Sequence, residues 1–136
     1  MSQSSMNYRA SQAYRSAAVS VPPLRAVVML HSGAITLLRR SIEAQEGRRF
    51  EEGHDCLTRA TAILRGLSHH LDSRRSGPMG DRLFETYNAL VLAAHRAYGR
   101  PHATRNFQRI ITAVTELREA WEFVEAQTRG AVAAGA

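Results

Sequence analysis

Six histidines, one cysteine and twelve carboxylates are the side chains through which this 136-residue chain could hold a metal, attack a substrate or move a proton. Their spacing argues against each of those uses. His69 and His70 are adjacent, so on a helix they point about 100° apart and cannot both face one ion without a third ligand nearby. His95 and His102 are separated by Gly99 and Pro101, which break any helix between them, and the chain has no H-x-x-x-H and no cysteine pair. His54-Asp55-Cys56 resembles a catalytic set only in print, because consecutive helical residues do not face one another; Cys56 flanks an apolar stripe and reads as a small core residue. Glu51 and Glu52 suit the first turn of a helix, where they complement its dipole, and Glu116, Glu119, Glu122 and Glu125 read as a solvated face. Glycine-rich phosphate loops and nucleophile elbows are absent. The sequence therefore reads as a non-enzyme that needs no cofactor and no metal.

Apolar side chains that a bundle core does not require are more informative. Leu30, Ala34 and Leu37 form a second stripe at i, i+4 and i+7, set off from the main stripe of their helix. Leu92 and Phe123 point nearly opposite their core faces, while Phe84 and Ile111 lie at the flanks. Single exposed apolar residues are ordinary, but together these seven are the expected anchors of a groove that accepts an amphipathic helix from a partner.

Four segments must position these residues. Pro22-Pro23, Gly47, Ser76-Gly-Pro-Met-Gly80 and Gly99-Arg-Pro101 divide the chain, with Pro101 placed to begin the last helix. Each segment carries a helical stripe. The first has Leu24, Val27, Val28, His31, Ile35, Leu38 and Ile42, and the second Phe50, Leu57, Ala60, Leu64, Leu67 and Leu71. The third has Leu83, Tyr87, Leu90, Val91, Ala94 and Tyr98, and the fourth Ala103, Phe107, Ile110, Val114, Leu117, Trp121 and Val124. Short breaks between long amphipathic helices predict an all-α fold, an antiparallel up-and-down four-helix bundle over residues 21–128. Residues 1–20 read as a mobile arm with room for one short helix, and residues 129–136 as a frayed tail.

Composition bounds the rest. With 44% hydrophobic and 22% charged residues the chain can bury one core, which excludes wholesale disorder. A single cysteine suits a reducing compartment, no apolar run approaches membrane-spanning length, and the first residues lack a secretory apolar region, so a cytoplasmic location with no membrane insertion is expected. All 18 basic residues are arginine and the formal charge is +6. Coding bias accounts for the arginine usage, because the arginines occur singly or in pairs and form no block. A small basic helical nucleic-acid binder is the alternative reading; no nucleic-acid partner is expected, given the acidic side of the fourth helix and the lack of an arginine stripe.

Specific residues narrow the function. The run Pro23-Leu-Arg-Ala-Val-Val-Met29-Leu30-His-Ser-Gly33 is followed by Leu57-x-x-Ala60-x-x-Ile63-Leu64-x-x-Leu67-x-x-x-Leu71-Asp72, by Leu83…Tyr87 and by Leu117-Arg-x-x-Trp121. In that order they resemble the four helix signatures of the FliS family of flagellin export chaperones, over about residues 8–124. Three positions depart from the family pattern: Pro22 stands for the usual serine, Ser32 for the acidic residue before the glycine, and Thr86 for leucine before the tyrosine. The resemblance implies a four-helix chaperone that binds the C-terminal segment of flagellin, prevents its premature polymerisation and delivers it to the flagellar export gate protein, with other flagellar proteins as further partners. It also implies an N-terminal arm that covers the cargo surface and meets the gate, roles for which Tyr8 and Tyr14 are the available tyrosines. A monomer or weak dimer is expected.

Overall fold

A computed structural model of the chain describes residues 23–70 and 73–135. Four helices account for nearly all of it: α1 (Pro23–Glu46), α2 (Phe50–His70), α3 (Ser73–Ala97) and α4 (Ala103–Gly135). The arm with Tyr8 and Tyr14, Pro22, and the Leu71-Asp72 pair lie outside the described residues.

Local chemistry explains the boundaries. Pro23 opens α1, where its missing N–H costs no hydrogen bond. Arg48 closes that helix in a left-handed conformation (φ 60°): its N–H bonds the Gln45 carbonyl at 3.0 Å and the Arg49 N–H bonds the Ala44 carbonyl at 2.7 Å. This is the paired Schellman pattern, with arginine where glycine is favoured. Helix α2 carries Glu51 and Glu52 in its first turn and His69 and His70 in its last, an arrangement that suits the dipole. Within α3 the regular helix is broken at Gly77 (φ 63°, ψ −147°), and Pro78 starts the continuous part. Gly99 (φ 70°) ends α3 as expected of a glycine in the left-handed region. The last helix begins at Ala103 and not at Pro101, because the first helical carbonyl to be used is that of His102, which accepts the Asn106 N–H at 3.0 Å.

The helices form a closed ring in which α1 packs on α2 and α4, and α3 packs on α2 and α4. Cross-links fix the antiparallel register of α1 and α4: Arg25 meets Glu125, Ser32 meets Arg118, and Glu46 meets Thr104, so numbers rise on one helix as they fall on the other. Helices α1 and α2 approach closely at Gly53, where an added Cβ would lie 3.3 Å from Gln45 Cγ, and the Ser41 hydroxyl donates to the Gly53 carbonyl at 2.8 Å. One core fills the ring, from Ile35 and Leu38 through Leu57 and Leu64 to Tyr87, Val91, Phe107 and Val114, with Cys56 inside it. Full burial of such side chains is worth about 1.5–3 kcal/mol each before chain entropy is counted.

The stripes read from the sequence hold at their centres and loosen at their ends. Phe50 is half exposed, since it is the first residue of α2 at the outer end of the bundle. Leu83, Leu90 and Leu117 are half-buried and Val124 is exposed; they border the seam between α3 and α4, where contact is sparsest. Helix α4 continues through Gly135 with Val132 exposed.

Candidate functional site

A polar layer crosses the interior of the described bundle. His31 on α1, Tyr87 on α3 and Trp121 on α4 share a hydrogen-bonded chain that crosses the bundle. The Trp121 Nε1–H donates to the Tyr87 oxygen at 3.0 Å, and the Tyr87 hydroxyl lies 2.7 Å from His31 Nε2. His31 Nδ1 lies 2.6 Å from the Val27 carbonyl. A carbonyl can only accept, so Nδ1 carries the proton and Nε2 is the acceptor for Tyr87. Desolvation holds His31 below its ordinary pKa, reinforced by the nearby Arg118 charge and opposed by the bond to Val27. Burial pushes the Tyr87 hydroxyl up to about 12 despite the bond from Trp121, so it remains a donor across the physiological range. Beside this layer the Arg118 Nη1 donates to Ser32 Oγ at 3.3 Å. Its Nε lies 3.3 Å from Glu122 Oε1, near enough for charge attraction but outside hydrogen-bonding geometry, which leaves that N–H without a partner. Residues from three separate sequence signatures, His31 and Ser32, Tyr87, and Arg118 and Trp121, thus meet at one level of the bundle. His31 and Tyr87 are fully buried and Trp121 half-buried, so these bonds join α1, α3 and α4 within the core.

A second polar cluster ties the end where both hairpins turn. Gln45 Oε1 accepts the Gly99 N–H at 3.0 Å, the Thr104 hydroxyl donates to Glu46 Oε1 at 2.9 Å, and the Tyr98 hydroxyl donates to the Phe50 carbonyl. The His54 ring packs edge-on against Tyr98. Among the described residues no group of three histidine, cysteine or carboxylate side chains could hold a metal ion, and no helix is long and apolar enough to cross a membrane.

The seven apolar positions separate into two sets. Ala34, Leu37 and Ile111 are buried, which corrects the expectation that they present spare surface. Ala34 and Leu37 lie on the flank of α1 that faces α2, between Gly33 beside Ile63 and Ser41 beside Gly53, and they share the core with Leu57, Ala60 and Leu64. Ile111 is covered from α1 and reaches the surface only at the edge of a depression shared with Arg39, Ile42 and Glu43. Leu30, Phe84, Leu92 and Phe123 are exposed, at 39%, 41%, 50% and 64%.

These four do not converge on one furrow. Phe84 and Leu92 border the α2-facing edge of α3, on either side of Asn88, which donates to Ser68 of α2 at 3.5 Å. Phe123 lies on α4, on the face away from the core residues Val114 and Trp121. Leu30 lies on α1, on the same α2-facing flank as Leu37 but two turns nearer the helix start. The exposed apolar surface therefore wraps around the bundle. Glu125 also differs from its sequence reading as a solvated residue: it is buried to 7% exposure, with its carboxylate 3.2 Å from Arg25 and 2.8 Å from Arg129. It turns toward α1 because it shares that flank of α4 with Arg118.

Angles from the main stripe pointed to four of the exposed apolar residues, Leu30, Phe84, Leu92 and Phe123, but not to Met29 or Met79, each more exposed than at least three of the four. Sequence reasoning missed the polar layer, whose members looked like core or flank residues, and their helix-end neighbours on the α3–α4 hairpin. No curated protein matches this chain. The family model described as Flagellar protein FliS matches residues 6–128, which spans all but the end of the described bundle. The order of helices, the shared layer of signature residues and that match together place the chain in the FliS family, the flagellar export chaperones.

Proposed function

We propose that this chaperone binds the C-terminal segment of flagellin by wrapping it around the bundle, and that it carries the segment to the flagellar export gate. The observation that supports this reading is the distribution of Leu30, Phe84, Leu92 and Phe123 over three helices, exposed and apart. An amphipathic segment held away from its filament partners has an unburied apolar face, and a single groove would cover little of it. A segment that orders on binding loses about 2–5 kcal/mol or more of its interaction energy to that ordering. Several anchors, each worth up to about 1.5–3 kcal/mol when covered, are needed to exceed that cost. In this reading the protein works in the bacterial cytoplasm as a monomer or weak dimer, without catalysis. The arm with Tyr8 and Tyr14 covers the apolar surface until cargo displaces it, and then meets the gate.

Calorimetric titration with a flagellin C-terminal peptide tests the assignment. Phe84→Asp, Leu92→Asp and Phe123→Asp are each expected to weaken binding by about tenfold or more, since burying an unpaired carboxylate adds to the lost apolar contact. Affinity unchanged in all three variants would discard this surface as the cargo site.

A further inference from the structure

Between Glu85 and Glu116 the chain contains four arginines, Arg96, Arg100, Arg105 and Arg109, and no carboxylate. The structure folds this stretch into one hairpin, the second half of α3, its turn and the first half of α4. Five arginines elsewhere have acidic partners, Arg25 and Arg129 on Glu125, Arg49 on Glu52, Arg59 on Asp55 and Arg118 near Glu122, while Arg39 and Arg40 on α1 have none among the described residues but lie in a helix that also carries Glu43 and Glu46. None of the four hairpin arginines has an ion pair among the described residues, and all four are exposed. Arg105 lies in the first turn of α4, which holds no acidic residue, so its charge adds to the positive end of the helix dipole. The one carboxylate shown to reach the hairpin is Glu46 of α1, which accepts from Thr104 at its turn end; the hairpin itself supplies none between Glu85 and Glu116.

The surface between the arginines has shape as well as charge. Arg96 on α3 and Arg109 on α4 flank an open depression of about 320 Å³ whose other lining residues are Ala93, Ala97, Asn106 and Ile110. Ala97 and Ile110 are buried and form an apolar floor. From there the α3–α4 seam continues past Leu90, Ala113 and Leu117, all half-buried. Ala97 to Leu90 spans two turns, about 10 Å of helix. The floor of the seam lies on the side of α3 away from Asn88, which faces α2; Leu92, one turn before Arg96, stands on the outer face between the two.

We propose that the α3–α4 hairpin is a docking surface for an acidic amphipathic helix of a protein partner other than the cargo segment. Small or apolar residues of that helix would enter the seam, while Asp or Glu on its two flanks would pair with Arg96 and Arg109. Arginine suits this task, because its planar fork meets a carboxylate through two parallel hydrogen bonds. Charge complementarity selects the occupant, and the apolar floor selects a helix over a bare polyanion. Nucleic acid fits the hairpin less well. Single strands need aromatic faces for stacking, whereas Phe107 is buried and the Tyr98 ring is engaged by His54.

Fluorescence anisotropy of the full chain with three labelled probes tests the proposal. The probes are an 18-residue amphipathic peptide with a Leu/Ala stripe flanked by Glu, the same peptide with Lys for Glu, and a 20-nucleotide oligo-U. The Glu peptide is expected to bind in the micromolar range, more weakly as salt rises, and to lose at least tenfold in affinity with the R96E/R109E double variant. It should be unaffected by R39E/R40E, which reverses two exposed arginines on α1. Unlabelled flagellin C-terminal peptide should not displace it, an arm that reads separately from the cargo assignment. Equal binding of the Glu and Lys peptides, or equal losses in the two double variants, would overturn the proposal. So would displacement by the flagellin peptide, or oligo-U binding tighter than the Glu peptide and lost with R96E/R109E.

Discussion

His31 Nε2 and the Tyr87 hydroxyl lie 2.7 Å apart across the diagonal of the bundle, joining two helices that otherwise do not pack on each other. Because Tyr87 also accepts from Trp121, one hydroxyl satisfies two partners. Tyr87→Phe keeps the ring and removes the oxygen, leaving an imidazole acceptor and an indole donor unpaired. It is expected to cost about 1–3 kcal/mol, read from urea midpoints at constant m-value. A midpoint shift equivalent to less than about 0.5 kcal/mol, the range of an ordinary surface change, would deny the layer its structural role.

Acidification should weaken the fold through the same layer. Desolvation lowers the pKa of His31 in the folded state, so the unfolded chain takes up a proton near the ordinary value of 6.5 while the folded chain resists it. Stability is then fully present above pH 6.5 and declines as pH falls from 6.5 toward the depressed folded value, by up to about 1.4 kcal/mol per pH unit. His95, lowered by desolvation and by Arg65 and His54, acts in the same direction. Denaturation midpoints between pH 7.5 and 5 check this, and His31→Gln should flatten the slope. An unchanged slope in that variant would assign the acid sensitivity elsewhere.

Arg48 occupies a left-handed position that glycine adopts without strain. Arg48→Gly is therefore expected to raise stability by up to about 1 kcal/mol, even though it loosens the unfolded chain, and to raise the melting temperature by a few degrees. Calorimetry that finds a lower melting temperature would mean that the guanidinium contributes more than the backbone strain costs.

Leucines of the same sequence pattern should respond oppositely to charge. Leu37 is buried against α2, so Leu37→Ala should cost about 2–5 kcal/mol and Leu37→Asp should prevent folding. Leu92 is half exposed, so Leu92→Asp should leave the melting temperature within a few degrees of the parent while weakening cargo binding. Circular dichroism melts of the pair decide it; equal destabilisation would mean that Leu92 is covered in solution.

Much of this protein was legible in its residues. The 3.6-residue recurrence of Ile35, Leu38, Leu57, Leu64, Val91 and Val114 fixes four amphipathic helices, and Gly99 marks a stop because few other residues take its backbone angles. Exposure of Leu92 and Phe123 followed from their angles alone, since both lie far from any core stripe. Tertiary structure decided the flanks. A helix in a ring of four has neighbours on two sides, and periodicity does not say which flank a neighbour covers. Leu30 and Leu37 share a stripe, yet Leu37 lies under α2 while Leu30, two turns nearer the start of α1, stays open. Glu125 looked like its solvated companions until the start of α1 brought Arg25 to it. Residues as distant as His31, Tyr87 and Trp121 became one hydrogen-bonded layer only through the register of the packed helices, a property of the spaces between helices that no single helix encodes.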